Sequence, residues 1–207
     1  HCAGVLHGLK YEEFFKGNVL YTQNLAEAAK KYSPNFKKFI YISSQAAAGP
    51  SKKGILKDES FLDDPISQYG VSKLEGEQKA KESGLPYVIL RPSSIYGPMD
   101  TEFYPLFKMT KHHIQAVIGK GEAKINLLYI DDMVQAIELA LFSNYSNKTY
   151  LVAGNGAFSM VDVVKQVKET MGKKALLIKV PVFLGKMVGG FNTFWGRLIG
   201  KPMLLNS

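Results

Sequence analysis

The chain has 207 residues, 46% of them hydrophobic, enough for one core or for one core with an attached lobe. Its 26 Lys and Arg exceed its 18 Asp and Glu, for a net charge of +8. No aromatic-interleaved basic stripe accompanies that excess, so it reads as a solvated surface and excludes a nucleic-acid face. One cysteine, Cys2, excludes an internal disulfide framework and points to a reducing compartment, the cytoplasm. No signal peptide and no uncharged apolar run of spanning length are visible, so no membrane segment is expected. The Asn144-Tyr-Ser and Asn147-Lys-Thr tripeptides match a glycosylation sequon and read as loop residues.

In chain order, residues 10–32 predict a helix with Phe14, Phe15, Val19, Leu25 and Ala29 on its apolar face. Tyr32-Ser-Pro-Asn35 stops it. Phe39 to Ser43 is a strand, and Gln45 to Pro65 a loop rich in Gly, Pro, Ser and charge. A helix follows from Gln68 to Ser83, closed by Gly84 and Pro86. Tyr87-Val-Ile-Leu90 is continuously apolar, a strand buried on both faces. Residues 103–113 are helical, and His112-His113 marks a solvated helix end, since no further ligand stands at metal spacing.

Asn126 to Ile130 is strand-like, with Asp131 capping a helix that runs to Phe142. Tyr150-Leu-Val152 is a strand, and Gly154-Asn-Gly156 reads as a strand-to-helix turn. Ser159-Met-Val-Asp162 opens a helix in a capping-box pattern, stopped by Gly172. Leu176 to Val180 is a short strand, and 181–200 is apolar and Gly-rich. Strands alternating with helices predict an α/β fold, a doubly wound parallel sheet.

Two stretches carry chemistry. Phe39-Ile-Tyr-Ile-Ser-Ser44 ends a buried strand in two hydroxyls, and Tyr69-Gly-Val-Ser-Lys73 places a phenol and an ammonium one helical turn apart. A phenol is a poor base near neutrality, and a nearby ammonium favours its phenolate. The Tyr-to-Lys spacing alone is weak: Tyr104 and Lys108 repeat it without a serine-tipped strand upstream.

With that strand, Ser44, Tyr69 and Lys73 resemble the catalytic triad of the extended short-chain dehydrogenase/reductase family, of the NAD-dependent epimerase/dehydratase type. Four further stretches agree in order: His1-Cys-Ala-Gly4, Gly17-Asn18-Val19 with Thr22 and Asn24-Leu25, Arg91-Pro-Ser-Ser-Ile-Tyr-Gly-Pro98, and Tyr129-Ile-Asp-Asp132. The resemblance runs to about residue 200. It implies a Rossmann-type sheet with a smaller C-terminal substrate lobe. Residues 1–155 would form the later part of the dinucleotide-binding domain, with 92–125 partly in the lobe, and 156–207 most of the lobe. It implies Tyr69 as general acid/base, with Lys73 on the nicotinamide ribose and lowering the Tyr69 pKa. Ser44 would polarise the substrate oxygen, and Asn18 would complete the set through a backbone or water link. Cofactor contacts would come from His1, Ala3, Gly4, Asn18, Ser43, Tyr69, Lys73, Pro92, Ser93 and Ile95, although alternation puts Ser43 on the face opposite Ser44. Gln45 and Ser94 would face substrate.

The cofactor so implied is NAD or NADP, and the activity hydride transfer between nicotinamide and a carbonyl or secondary alcohol. A nucleotide-sugar epimerase and a non-catalytic nucleotide-binding protein are the alternatives. The partner is a small molecule, and a homodimer is compatible with the pattern. Two departures steer the substrate. Gln45-Ala46 stands where the family's sugar dehydratases carry an Asp-Glu pair, and Ile125, beside Lys124, where nucleotide-sugar enzymes carry a diphosphate-gripping Arg. Both favour an apolar or small substrate, as in the dihydroflavonol reductase and hydroxysteroid dehydrogenase branch. The His1 turn begins within a family motif, so the glycine-rich phosphate loop is expected upstream. Phe191, Phe194 and Trp195 are expected to line a mobile cap over the substrate cleft.

Overall fold

The computed structural model describes residues 1–51 and 55–184. The expected cap residues Phe191, Phe194 and Trp195 lie outside them. Residues 11–32 form one helical run in three parts: α1 (Tyr11–Phe14), a π-helical segment (Phe15–Leu20) and α2 (Tyr21–Tyr32). The strand β1 (Phe39–Ile42), the one-turn α3 (Gln45–Ala48) and the long α4 (Gln68–Glu82) follow. Next come β2 (Tyr87–Pro92), β3 (Ser94–Tyr96), α5 (Tyr104–Lys111) and β4 (Ile114–Ile118). β5 (Lys124–Ile125), β6 (Leu127–Tyr129), α6 (Ile130–Phe142) and β7 (Lys148–Val152) lead to β8 (Phe158–Ser159), α7 (Met160–Thr170) and β9 (Leu176–Val180).

The central sheet runs β1-β2-β7, all parallel. On the far side of β1, the His1 amino group donates to the Ile40 carbonyl at 2.7 Å, and the His1 carbonyl accepts from the Ile42 amide at 3.1 Å. The residues 1–4 therefore lie along the sheet in parallel fashion. Period-two alternation distributes the strand side chains to two cores. Phe39, Tyr41 and Ile89 pack with Ala26 of α2 and Ala80 of α4, while Val88 and Leu90 pack with Leu128, Met133 and Ala140 on the α6 side. Both faces are covered by helices, as a doubly wound sheet requires. Lys38 closes the end of α6, donating to the carbonyls of Ala140 at 2.7 Å and Ser143 at 2.6 Å, where the helix dipole favours a cation.

A second group of elements adjoins this sheet. β4 pairs with β9 in parallel and packs against α5 and α7, so residues from 92–125 and from 156–184 share one small sheet. β3 pairs with β6, and β5 with β8.

Several expectations change in detail. The 45–65 loop opens on α3, which Ser44 caps by accepting from the Ala46 amide at 3.1 Å. Asp131 lies in the first turn of α6 and does not cap it; Tyr129 precedes the helix without a side-chain cap. There the carboxylate still meets the positive end of the dipole. β3, β4, β5 and β8 are absent from the sequence reading; β3, β5 and β8 are only two or three residues long, and β4 lies outside the central sheet. The Ser159–Asp162 capping box is present in full.

Candidate active site

The site is assembled at the C-terminal end of β1, where open α/β sheets bind ligands. Three segments converge there: the strand end with Ser43 and Ser44, the first turns of α4 with Tyr69 and Lys73, and the turn of residues 1–5. Ser67 starts α4 by accepting from the Gly70 amide at 3.0 Å, which sets the rotation of the helix. Tyr69 and Lys73 then share its inner face. Lys73 is buried, and its Nζ donates to the Ile42 carbonyl at 2.7 Å while lying 4.3 Å above the Tyr41 ring. Burial pushes its pKa down to about 8, against the opposing charges of Glu77 and Cys2. Burial also raises the Tyr69 pKa, and the Ser44 hydroxyl acts in the other direction as a hydrogen-bond partner. Ser44, Tyr69 and Lys73 are thus brought together, but Lys73 is turned to a strand carbonyl, and desolvation outweighs any help to the Tyr69 phenolate.

The π segment explains the placement of Asn18. A π turn displaces side chains from the α-helical stripe, and Asn18 is fully buried within it. Its Oδ1 accepts from the Val5 amide at 2.7 Å. Its Nδ2 donates to the Val5 carbonyl at 2.9 Å and to Ser72 Oγ at 2.9 Å. The amide therefore clamps the 1–5 turn onto α4. Gly76 allows that approach: a Cβ there would stand 2.4 Å from both the Asn18 carbonyl oxygen and the Tyr41 hydroxyl. A Cβ on Gly4 would stand 2.8 Å from Asn18 Oδ1 and 3.9 Å from Lys73 Nζ, so this turn borders the site, with Ala3 and Gly4 exposed. The His1 ring points inward, 3.0 Å from Thr22 Oγ1 and stacked on Tyr41.

Other assigned residues have different surroundings. Ser43 is buried on the face opposite Ser44, and its Oγ donates to Glu77 Oε1 at 2.5 Å. Its hydroxyl thus serves a carboxylate inside the protein. Pro92 is buried in β2, and Ile95 packs against the α6-side core. Ser93 Oγ donates to Asn126 Oδ1 at 3.1 Å, and Asn126 Nδ2 donates in turn to the Gly154 carbonyl at 2.9 Å. Gln45 is half-buried at the head of α3, and Ser94 is exposed.

Sequence reasoning missed the charged network behind the site. Arg91 holds Glu77 with two bonds, Nε to Oε1 at 2.8 Å and Nη2 to Oε2 at 2.7 Å. It holds Asp63 with two more, each 2.7 Å. Burial lowers the Arg91 pKa, but hydrogen bonds to Glu77 and Asp63 overcome that and raise it. Its partners lie 14 and 28 residues away, so no local pattern announces them.

One consequence of Lys73 is measurable. Its folded pKa of about 8 lies below the ordinary 10.5, so the unfolded chain binds more protons between those values and stability rises with pH there. The stability of the wild type relative to Lys73→Met should therefore improve by on the order of 2 kcal/mol from pH 7 to pH 10. Urea unfolding at several pH values measures this, and a pH-independent difference would contradict it.

Residues 1–153 match the NAD dependent epimerase/dehydratase family, and the chain belongs to that family. It is 28% identical over 208 residues to the Uncharacterized UDP-glucose epimerase YtcB of Bacillus subtilis (strain 168), covering 96% of this chain and 63% of that protein. To the Ceramide reductase of Caulobacter vibrioides (strain NA1000 / CB15N) it is 24% identical over 205 residues, 98% of this chain and 59% of that one. The crystal structure of the UDP-glucuronic acid 4-epimerase from Bacillus cereus in complex with NAD superposes with a TM-score of 0.78 at 27% identity. That superposition covers 86% of this chain and 61% of the other. The chain thus spans about three fifths of the relatives it matches.

Proposed function

We propose that the protein catalyses NAD(P)-dependent hydride transfer at a carbonyl or secondary alcohol carbon, with Tyr69 as general acid/base. The observation that carries this reading is the convergence of Ser44, Tyr69 and Lys73 at the end of β1, beside the exposed Ala3-Gly4 turn. That turn, exposed at Ala3 and Gly4, fits a nicotinamide ribose within reach of Lys73; Asn18 supports it from behind, where Gly4 leaves room for the Asn18 amide. The relative in complex with NAD favours NAD over NADP. A nicotinamide held there would supply or accept the hydride. The chain's own part is the proton. A raised Tyr69 pKa keeps the phenol protonated near neutrality, which suits it to deliver a proton to a carbonyl oxygen held by Ser44. Among the described residues no helix is long and apolar enough to cross a membrane, and we place the protein in the cytoplasm.

The substrate has two readings. Gln45 offers no carboxylate beside Ser44, and Ile125 lies in β5 opposite Phe158 with no cation for a diphosphate at that position. Together with the likeness to a ceramide reductase, these favour reduction of an apolar carbonyl compound. The likeness to a UDP-glucose epimerase favours reversible hydride transfer on a nucleotide sugar. Incubating the intact protein with reduced dinucleotide and long-chain ketones, and separately with NAD and UDP-sugars, distinguishes them. Net loss of the reduced-nicotinamide absorbance with ketone supports the first. An inverted sugar without net absorbance change supports the second, and neither outcome with both panels would overturn the proposal.

A further inference from the structure

Glu77 lies on the inner face of α4, four residues after Lys73 and eight after Tyr69. It is 0% exposed, and Arg91, which grips it, is 5% exposed. Ser43 joins Glu77 from the end of β1, one residue before Ser44. Asp63 joins Arg91 from the segment that leads from α3 into α4, with both carboxylate oxygens bonded to the guanidinium. The network therefore ties together four backbone segments: the strand end bearing Ser44, the helix bearing Tyr69 and Lys73, the C-terminal end of β2, and the segment leading from α3 into α4.

From this geometry, and resting on the function proposed above, we infer that Asp63 is a positioning residue for the Ser44–Tyr69–Lys73 set, acting through the Arg91–Glu77 pair. Two carboxylates share one guanidinium, so the cluster retains a negative charge in a water-poor site. Lys73 lies one helical turn from Glu77 on the same face of α4. The groups facing it are Glu77 from its own helix, Cys2 and the His1 amino group from the 1–4 turn, Tyr41 from β1, and Tyr69. Glu77 favours the Lys73 ammonium against burial. With Asp63 present, Arg91 is divided between two anions. Without it, the guanidinium faces Glu77 alone and cancels more of the field that Lys73 receives. Asp63 also fixes the approach of the segment to α4, and so the register between Ser44 and Tyr69.

The experiment uses the intact protein and compares Asp63→Asn, Asp63→Glu and Glu59→Gln. Glu59 belongs to the same segment and accepts from the Leu151 amide at 2.8 Å, with no bond to Arg91 among the described residues, so its Gln variant removes a charge from the segment while keeping an acceptor for that amide. Asp63→Asn should lower kcat about tenfold near neutral pH. Its alkaline fall in kcat should move about one pH unit lower, with dinucleotide affinity unchanged. Asp63→Glu should restore most of the rate, and Glu59→Gln should keep the wild-type pH profile. An Asp63→Asn profile that superimposes on the wild type would overturn the inference, as would the same shift in Glu59→Gln. Tyr69→Phe, assayed alongside, separates the two levels: if it retains turnover, the underlying function is wrong; if it is inactive while Asp63→Asn behaves as wild type, only the positioning role fails.

Discussion

Replacing Tyr69 by Phe should lower kcat by about three orders of magnitude and leave the fold and dinucleotide binding in place. The substitution removes one oxygen from a half-buried ring whose hydroxyl meets Ser44 and, among the described residues, no structural partner. Asn18, Gly4 and Lys73, which border the proposed cofactor position, keep their contacts. The melting temperature should therefore stay close to that of the wild type, while turnover in the assays above disappears. A variant with near-normal kcat would remove Tyr69 from the chemistry, whatever the substrate.

Arg91→Met should cost about 3–5 kcal/mol of stability, the largest structural effect expected for any single residue of the site. The wild-type guanidinium makes four charge-assisted bonds, two to a carboxylate that no water reaches. Methionine fills much of the volume but leaves Glu77 buried with the Ser43 hydroxyl as its remaining partner. A carboxylate so placed is driven toward its neutral form, and its folded pKa rises above the unfolded one. The variant's relative stability is then greatest below the unfolded pKa and is lost as pH rises through the folded value. Adding Glu77→Gln to Arg91→Met should recover most of the loss, because it removes the unpaired charge. Denaturant titrations of the two single variants and the double variant test this; a loss under about 1 kcal/mol in Arg91→Met would show that the network contributes little.

What was legible in the sequence follows from the range of the interactions. Tyr69 and Lys73 were visible because a helix makes neighbours of residues four apart, and Ser44 because a strand ending in a hydroxyl has a local signature. The parallel sheet was visible because strands alternate with helices along the chain, and because Tyr87–Leu90 is apolar on both faces. The Asp63–Arg91–Glu77–Ser43 cluster was not, since its members come from four segments and each alone looks like an ordinary polar residue. The π segment was hidden for a related reason: its turn is imposed by Val5 and Ser72 binding the Asn18 amide, not by propensity. The expected influence of Lys73 on Tyr69 depends on a balance no spacing reveals. Charge proximity lowers a phenol pKa and burial raises it, and here burial dominates.

The bond from the Leu151 amide to Glu59 bears on the behaviour of the molecule in a crowded solution. Among the described residues β7 is the last strand of the central sheet on that side, and its outward amides are donors to which a stranger's strand could hydrogen-bond. A carboxylate on one of them does more than fill a valence: it places a fixed negative charge where an incoming backbone carbonyl would have to dock. The segment that pairs with Arg91 through Asp63 thereby also occupies part of the sheet edge through Glu59. Loosening it would free that amide for strand addition by a second chain.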